Sequence, residues 1–272
     1  MKKIISLLLA VCLCGAALAG CGETETPSVN GTVATDGSTS MEKVIGYFKE
    51  AYTEKNPEVN VTYNPTGSGS GIQAVLEGRC DIGLSSRDLK AEEAEKLTGT
   101  VVAIDGIAVI VNPENPVTDL SIEQIGAIYK GEITNWNDVG GNDSPIVLIG
   151  REAASGTRDG FESITDTKDL CMYSQELTST GDVVQTVSSN PNAVGYASLA
   201  SVKDTVKTLK VEGVTPTTET IQNGKYKIQR NFIFVTKKDT KLSGAAKDFF
   251  EFATSGEADE LVISAGAVPV KR

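Results

Sequence analysis

Residues 32–48 read Thr32-Val33-Ala34-Thr35-Asp36-Gly37-Ser38-Thr39-Ser40-Met41-Glu42-Lys43-Val44-Ile45-Gly46-Tyr47-Phe48. Thr32 to Ala34 is a short strand, whereas Met41, Val44, Ile45, Phe48 and then Ala51 recur at the spacing of one helix face. A strand that passes through a small-residue turn into a helix is the repeating unit of layered α/β folds. The same order continues downstream. Val59 to Tyr63 alternates as a strand, glycines follow, Ile72 to Leu76 begins a helix, Asp81 to Ser85 is a strand, and Ala91 to Leu97 reads as a charged, exposed helix. Val101 to Val111 is a long apolar stretch, Ile122, Ile125, Ile128 and Tyr129 mark a helix, and Ile146 to Ile149 is a buried strand. In the second half Asp182 to Val187 reads as helical, Ala193 to Ala197 as extended, Phe232 to Val235 as a strand and Ala245 to Phe252 as a closing helix. The alternation predicts α/β layering with largely parallel sheets, and no internal repeat is evident.

Composition sets the limits of this reading. The chain has 272 residues, 40% of them hydrophobic and 22% charged, enough for a sizeable core in one large or two ordinary domains. Its net charge of -11 repels nucleic-acid phosphates over most of its surface, and with no basic cluster to offset this, no nucleic-acid partner is expected. The absence of histidine removes the commonest general base and the commonest zinc ligand.

The first twenty residues stand apart from the fold. Lys2 and Lys3 supply a positive start, Ile4 to Leu13 an apolar run too short to span a bilayer, and Leu18-Ala19-Gly20-Cys21 a small-residue cleavage site. This export signal resembles the bacterial lipoprotein type, which implies cleavage before Cys21 and a diacylglycerol thioether on its sulfur. Glu23 to Val29 then reads as a short polar tether. Cys80 and Cys171 remain either as a pair or as two buried thiols, and sequence spacing leaves both open.

Function is signalled by what punctuates the strand-to-helix junctions. Asp36-Gly37-Ser38-Thr39-Ser40, Gly67-Ser68-Gly69-Ser70-Gly71, and Ser155-Gly156-Thr157 shortly after Arg151 each precede a helix. Glycine admits close backbone approach, Ser and Thr supply hydroxyl donors, and the first helical turn offers partial positive charge. Any one such cluster is an ordinary helix cap; three with an arginine point to an anion site.

The segments Thr35 to Ser40, Thr66 to Gly71, Ile128-Tyr129-Lys130-Gly131-Glu132-Ile133-Thr134-Asn135-Trp136, Arg151-Glu152-Ala153-Ala154-Ser155-Gly156-Thr157 and Asn192-Ala193-Val194-Gly195-Tyr196 occur in an order that resembles the phosphate-binding subunits of bacterial phosphate-specific ABC importers. The resemblance covers essentially the whole mature chain. It implies a two-lobed type II periplasmic-binding-protein fold whose hinge is two crossover strands, near Ile104 to Val111 and Tyr226 to Phe234. Lobe 1 would hold residues 31–107 and 230–272, lobe 2 residues 108–229, after a signal peptide at 1–20 and a lipidated tether at 21–30. Carried over position by position, Thr39, Ser40, Ser68, Ser86, Arg151, Ser155, Gly156 and Thr157 would bind phosphate. No cofactor or metal is implied. The expected protein is a monomer, held by Cys21 on the extracytoplasmic face of the cell membrane, delivering phosphate to permease subunits driven by a cytoplasmic ATPase.

Two positions depart from the family pattern. Ser86 stands where many members carry an acid that accepts the proton of phosphate, which puts the source of sulfate rejection in question. Ala153 stands where the arginine's acidic partner is expected, leaving Glu152, Asp159 or Asp36 as substitutes.

Other features have plainer readings. Trp136 and Tyr129 read as core, Glu92, Glu93 and Glu95 as a solvated face, and Arg87 and Arg158 as either anion contacts or partners of nearby acids. The main alternatives are a receptor for sulfate or molybdate, an exported serine acyl-enzyme using Ser40-Met41-Glu42-Lys43, a hydrolase, and an adhesion or sensory lipoprotein. The enzyme readings are poorly supported: no Lys-Thr-Gly follows Ser40, and the residues around it already fit an amphipathic helix.

Overall fold

The computed structural model describes residues 29–271, so the export signal, Cys21 and nearly all of the tether lie outside the described residues. The chain begins with β1 (Gly31–Gly37), a 3-10 turn (Thr39–Met41) that runs into α1 (Glu42–Lys55), β2 (Val59–Asn64), α2 (Ser68–Glu77), β3 (Ile82–Ser85), α3 (Ala91–Ala94) and the long β4 (Leu97–Val111). It continues through β5 (Asp119–Leu120), α4 (Ile122–Tyr129), β6 (Val147–Arg151), α5 (Gly156–Ile164), β7 (Gln175–Leu177), α6 (Thr180–Ser189), β8 (Ala193–Ser198), β9 (Lys207–Thr208), β10 (Lys210–Val211) and α7 (Thr218–Gln222). β11 (Gln229–Lys237), α8 (Gly244–Thr254), α9 (Asp259–Ser264) and β12 (Val268–Pro269) complete it.

The main sheet runs β2-β1-β3-β11-β4-β8-β6-β7. β1 pairs in parallel with β2 and β3, and β6 in parallel with β7 and β8. Between these two halves β4 and β11 pair antiparallel to each other and to their outer neighbours. The expectation of largely parallel sheets therefore holds for each half and fails at the junction. An apolar run identifies a strand without revealing its direction, and a chain that crosses from one half to the other and returns must do so on antiparallel strands.

β4 links two cores. Its Val102 and Ala103 pack with Val33, Phe48, Phe232, Phe234 and Phe249, whereas Ile107, Val109 and Val111 pack with Tyr129, Trp136, Phe161, Tyr196 and Tyr226. These are the centres of two lobes. Trp136 and Tyr129 are core residues as read from sequence, and the Trp136 indole N–H donates to Asn192 O at 2.9 Å. Where the strands cross, Arg230 on β11 lies directly opposite Asp105 on β4 and donates to its carboxylate at 3.0 Å, both side chains being buried.

Local chemistry sets the element ends. Ser121 opens α4 with a reciprocal cap: its hydroxyl accepts from Gln124 N at 3.0 Å and Gln124 Oε1 accepts from Ser121 N at 2.9 Å. The exposed helix expected over 91–97 is only the four residues of α3, because Leu97 is drawn into the core as the first residue of β4. Glu93 is not simply a solvated acid, since both its carboxylate oxygens take hydrogen bonds from Arg87 at 2.7 and 2.8 Å. α8 is not the closing helix either; the chain goes on to α9 and β12, where Val268 pairs with Ile104. Cys80 and Cys171 are both free, half-buried thiols packed against different hydrophobic clusters. Among the described residues no helix is long and apolar enough to cross a membrane.

Candidate anion-binding site

Four helices begin at one place. The turn that leads into α1 starts at Thr39, α2 at Ser68, α5 at Gly156 and α6 at Thr180, and every one of these residues is buried. Backbone N–H groups in a first turn have no intrahelical acceptor, and each helix start carries partial positive charge. Strand ends aim the helices inward. β1 delivers Gly37, whose φ of +140° and Cα lying against Leu84 O (a Cβ would sit 2.1 Å from it) admit only glycine, and Gly37 O then accepts from Gly67 N at 2.8 Å. This couples the first two loops. Asp36 reinforces the coupling by accepting from Asn64 Nδ2 at 2.8 Å and from the Thr66 hydroxyl.

The hydroxyls meet across the two halves of the chain. Ser40 Oγ lies 2.8 Å from Thr157 Oγ1 and 2.9 Å from Thr180 Oγ1; Thr39 Oγ1 lies 3.1 Å from Thr180 Oγ1 and accepts from Thr180 N at 3.2 Å. Ser68 Oγ lies 3.1 Å from Ser86 Oγ and accepts from Ser86 N at 3.0 Å. Gly156 packs against both serines, and Gly69 N donates to Ala154 O at 3.0 Å.

Arg151, at the end of β6, is 1% exposed and is the cation of this cluster. Glu152 is its acid: Nε and Nη2 donate to the two carboxylate oxygens at 3.0 and 2.9 Å. Asp36 is occupied with the first two loops, and Asp159 lies 3.8 Å from Lys168. Further bonds to Leu177 O and Thr178 O fix the guanidinium plane, so that Nη1 is turned to the hydroxyls, donating to Thr180 Oγ1 at 3.0 Å. A fixed fork, several hydroxyls and four helix starts can surround a small oxyanion with donors on every side.

Of the residues expected from sequence, Thr39, Ser40, Ser68, Ser86, Arg151, Gly156 and Thr157 are brought together here. Ser155 is at the same place, but its hydroxyl caps α5 by accepting from Arg158 N at 3.3 Å, leaving its position in the turn rather than its hydroxyl as its contribution. Arg87 and Arg158 take the ion-pair reading, Arg87 with Glu93 and Arg158 with Glu162 at 2.7 Å and Glu176 at 3.0 Å. A cavity of about 600 Å³ near the crossing strands is lined by Arg87 and Arg230, whose charges are already paired with Glu93 and Asp105. Lys43 is exposed while Ser40 is buried among threonines, which separates the two groups that an acyl-enzyme would need together. Sequence reasoning missed Thr180 at the centre of the cluster. Ser179-Thr180-Gly181 repeats the small-residue signal of the other three junctions, but the apolar period alone starts the helix at Asp182, two residues too late.

The PBP superfamily domain model matches residues 22–257. The chain is 31% identical to the phosphate-binding protein PstS of Borreliella burgdorferi over the full length of both chains. It is 30% identical to PstS of Bacillus subtilis, covering 99% of this chain and 94% of that one. A phosphate-bound crystal structure of a candidate phosphate ABC transporter substrate-binding protein from Clostridium perfringens superposes with a TM-score of 0.85 at 41% identity, over 89% of this chain and all of that one. An ABC-type phosphate transport receptor from Vibrio cholerae gives 0.73 at 35%, over 88% and 100%.

Proposed function

The chain belongs to the PBP superfamily and, within it, to the phosphate-binding proteins, and from that premise we propose that it is the extracytoplasmic phosphate receptor of an ABC importer. The observation that carries the reading is Arg151, locked by Glu152 and facing hydroxyls from both halves of the sheet at the meeting point of four helix starts. Thr39, Ser40, Ser68, Ser86, Arg151, Gly156 and Thr157 hold phosphate, with Ser155 shaping the turn and Thr180 added to the set. Lobe 1 comprises residues 31–107 and 230–272 and lobe 2 residues 108–229. Phosphate bridges the lobes, so closure gains contacts that the open form lacks, and the permease reads the closed form. The protein catalyses no reaction. Net acidity does not oppose this, because distant surface charges are screened over about 8 Å at physiological ionic strength, whereas the buried donors act at contact.

Calorimetric titration of ligand-stripped mature protein with phosphate, sulfate, molybdate and a phosphomonoester across pH 5 to 9 tests the reading. Tight one-to-one phosphate binding with sulfate excluded is expected. Equal sulfate binding would keep the receptor and overturn the phosphate assignment; no binding by folded protein would overturn both. Because the side chains of the set are buried, an ester substituent would have to part them, so the phosphomonoester should bind at least about 100-fold more weakly, a penalty of roughly 2.7 kcal/mol.

The mature protein is anchored through a lipid on Cys21. Cys21→Ser is expected to shift it from the membrane pellet to the soluble fraction with phosphate affinity unchanged. Retention in the pellet would contradict the anchor.

A further inference from the structure

Arg151 is held by more than its carboxylate partner. Its backbone N–H donates to Tyr196 OH at 3.2 Å, Tyr196 OH lies 2.9 Å from Tyr173 OH, and Tyr173 OH donates to Glu162 Oε1 at 2.9 Å. Glu162 Oε1 also accepts from Arg158 Nε at 2.7 Å, and Arg158 Nη1 donates to the carbonyl oxygen of Arg151 itself at 2.9 Å. The path leaves the Arg151 residue at its nitrogen and returns at its oxygen.

Its direction is fixed by proton counting. A tyrosine hydroxyl has one proton; Tyr173 spends its own on Glu162, so between the two phenols Tyr196 is the donor. Burial pushes both phenols well above their ordinary value, and both keep that proton. Donors aligned head to tail strengthen one another. Packing acts alongside: the Tyr173 ring lies on the Cα of Gly150, so close that a Cβ there would fall 2.2 Å from Cδ1, and the Arg158 guanidinium lies over the phenol ring, 4.8 Å from its centre.

We propose that Tyr196, Tyr173, Glu162 and Arg158 are positioning residues of the anion site, a closed hydrogen-bond ring that sets where β6 presents the Arg151 guanidinium. The proposal rests on the reading of Arg151 as the anion-binding cation. None of the four touches the anion.

Tyr129 provides the control. It packs edge-on against Phe161 and Tyr173 and against Tyr196 in the same aromatic cluster, yet its buried hydroxyl has no hydrogen-bond partner. Tyr173→Phe and Tyr129→Phe delete the same atom, one inside the ring and one outside it. In the full mature chain, Tyr173→Phe should weaken inorganic phosphate binding about 5- to 20-fold, and Tyr129→Phe less than about 2-fold. The Arg151 Nε–H signal in ¹⁵N NMR of phosphate-free protein should be sharp in wild type and in Tyr129→Phe and broadened in Tyr173→Phe, which loss of stability alone would not produce. If Tyr173→Phe does not fold, Glu162→Gln, which keeps an acceptor for Tyr173 but removes the charge facing Arg158, carries the same two readouts. Wild-type affinity in the ring variant, equal losses in both phenylalanine variants, or an unaltered Arg151 signal would overturn the ring. Absence of phosphate binding in wild type would instead refute the receptor reading, and the NMR comparison would still judge the ring.

Discussion

Arg151→Ala is expected to reduce phosphate affinity by about 10³-fold, the largest loss from any single side chain in the site. The guanidinium is buried and fixed by Glu152, Leu177 O and Thr178 O, so wild type bears no ordering cost when the anion arrives. Charge-assisted hydrogen bonds contribute about 1.5–3 kcal/mol each, and the two protons of Nη1, the nitrogen turned to the hydroxyls, account for the expected loss. The fold should survive. Glu152 keeps about a quarter of its side chain exposed and can be rehydrated once its partner is gone, which limits the stability cost to about 1–2 kcal/mol. Arg151→Lys separates charge from geometry: a lysine restores a cation without the planar fork, and recovery of no more than about one-tenth of wild-type affinity is expected. Titration calorimetry with thermal unfolding of the phosphate-free variants makes the measurement. Near-wild-type binding by the alanine variant would remove Arg151 from the site.

The dominance of one arginine also shows what a sequence can disclose about such a site. Its chemistry was legible because glycine, serine and threonine are needed wherever a strand turns sharply into a helix beside a ligand, and Asp36 to Ser40, Gly67 to Gly71 and Ser155 to Thr157 advertise that need locally. The partner of Arg151 was not legible, since Glu152, Asp159 and Asp36 are equally charged and only the exit of the chain from β6 decides which carboxylate meets the guanidinium. Thr180 was hidden for a different reason. The apolar period of α6 starts at Val183, but the helix is started by Ser179, whose hydroxyl accepts from Asp182 N at 3.0 Å, so the cap rather than the hydrophobic face marks the boundary. Strand direction at the crossing was likewise absent from hydrophobicity: β4 and β11 are apolar whichever way they run, and their antiparallel pairing follows from the chain's path between two cores.

Gly156→Ala should lower phosphate affinity by about 10²-fold through geometry alone, without removing any donor. A Cβ built at Gly156 falls 2.5 Å from Ser68 Oγ, 2.8 Å from Ser86 Oγ and 3.0 Å from Ser68 Cβ. The last contact matters most, because a hydroxyl can rotate away whereas Ser68 Cβ is fixed by the start of α2. The residue has no positive φ, so alanine fits its own backbone, and within a helix alanine is favoured over glycine by up to about 1 kcal/mol. Each lobe should therefore be as stable as before or more so, and the strain should appear only when the lobes approach. Separation by even an ångström breaks contacts that depend on the approach: Ser40 with Thr157 and Thr180, Thr39 with Thr180, and Gly69 N with Ala154 O. Small-angle X-ray scattering distinguishes this from local damage. Wild type should compact on adding phosphate, whereas Gly156→Ala should keep its ligand-free radius of gyration at phosphate concentrations that saturate wild type. An alanine variant that binds tightly and compacts normally would mean that the lobes meet without the Gly156 to Ser68 contact, and the closure mechanism would have to be rebuilt around another pair of surfaces.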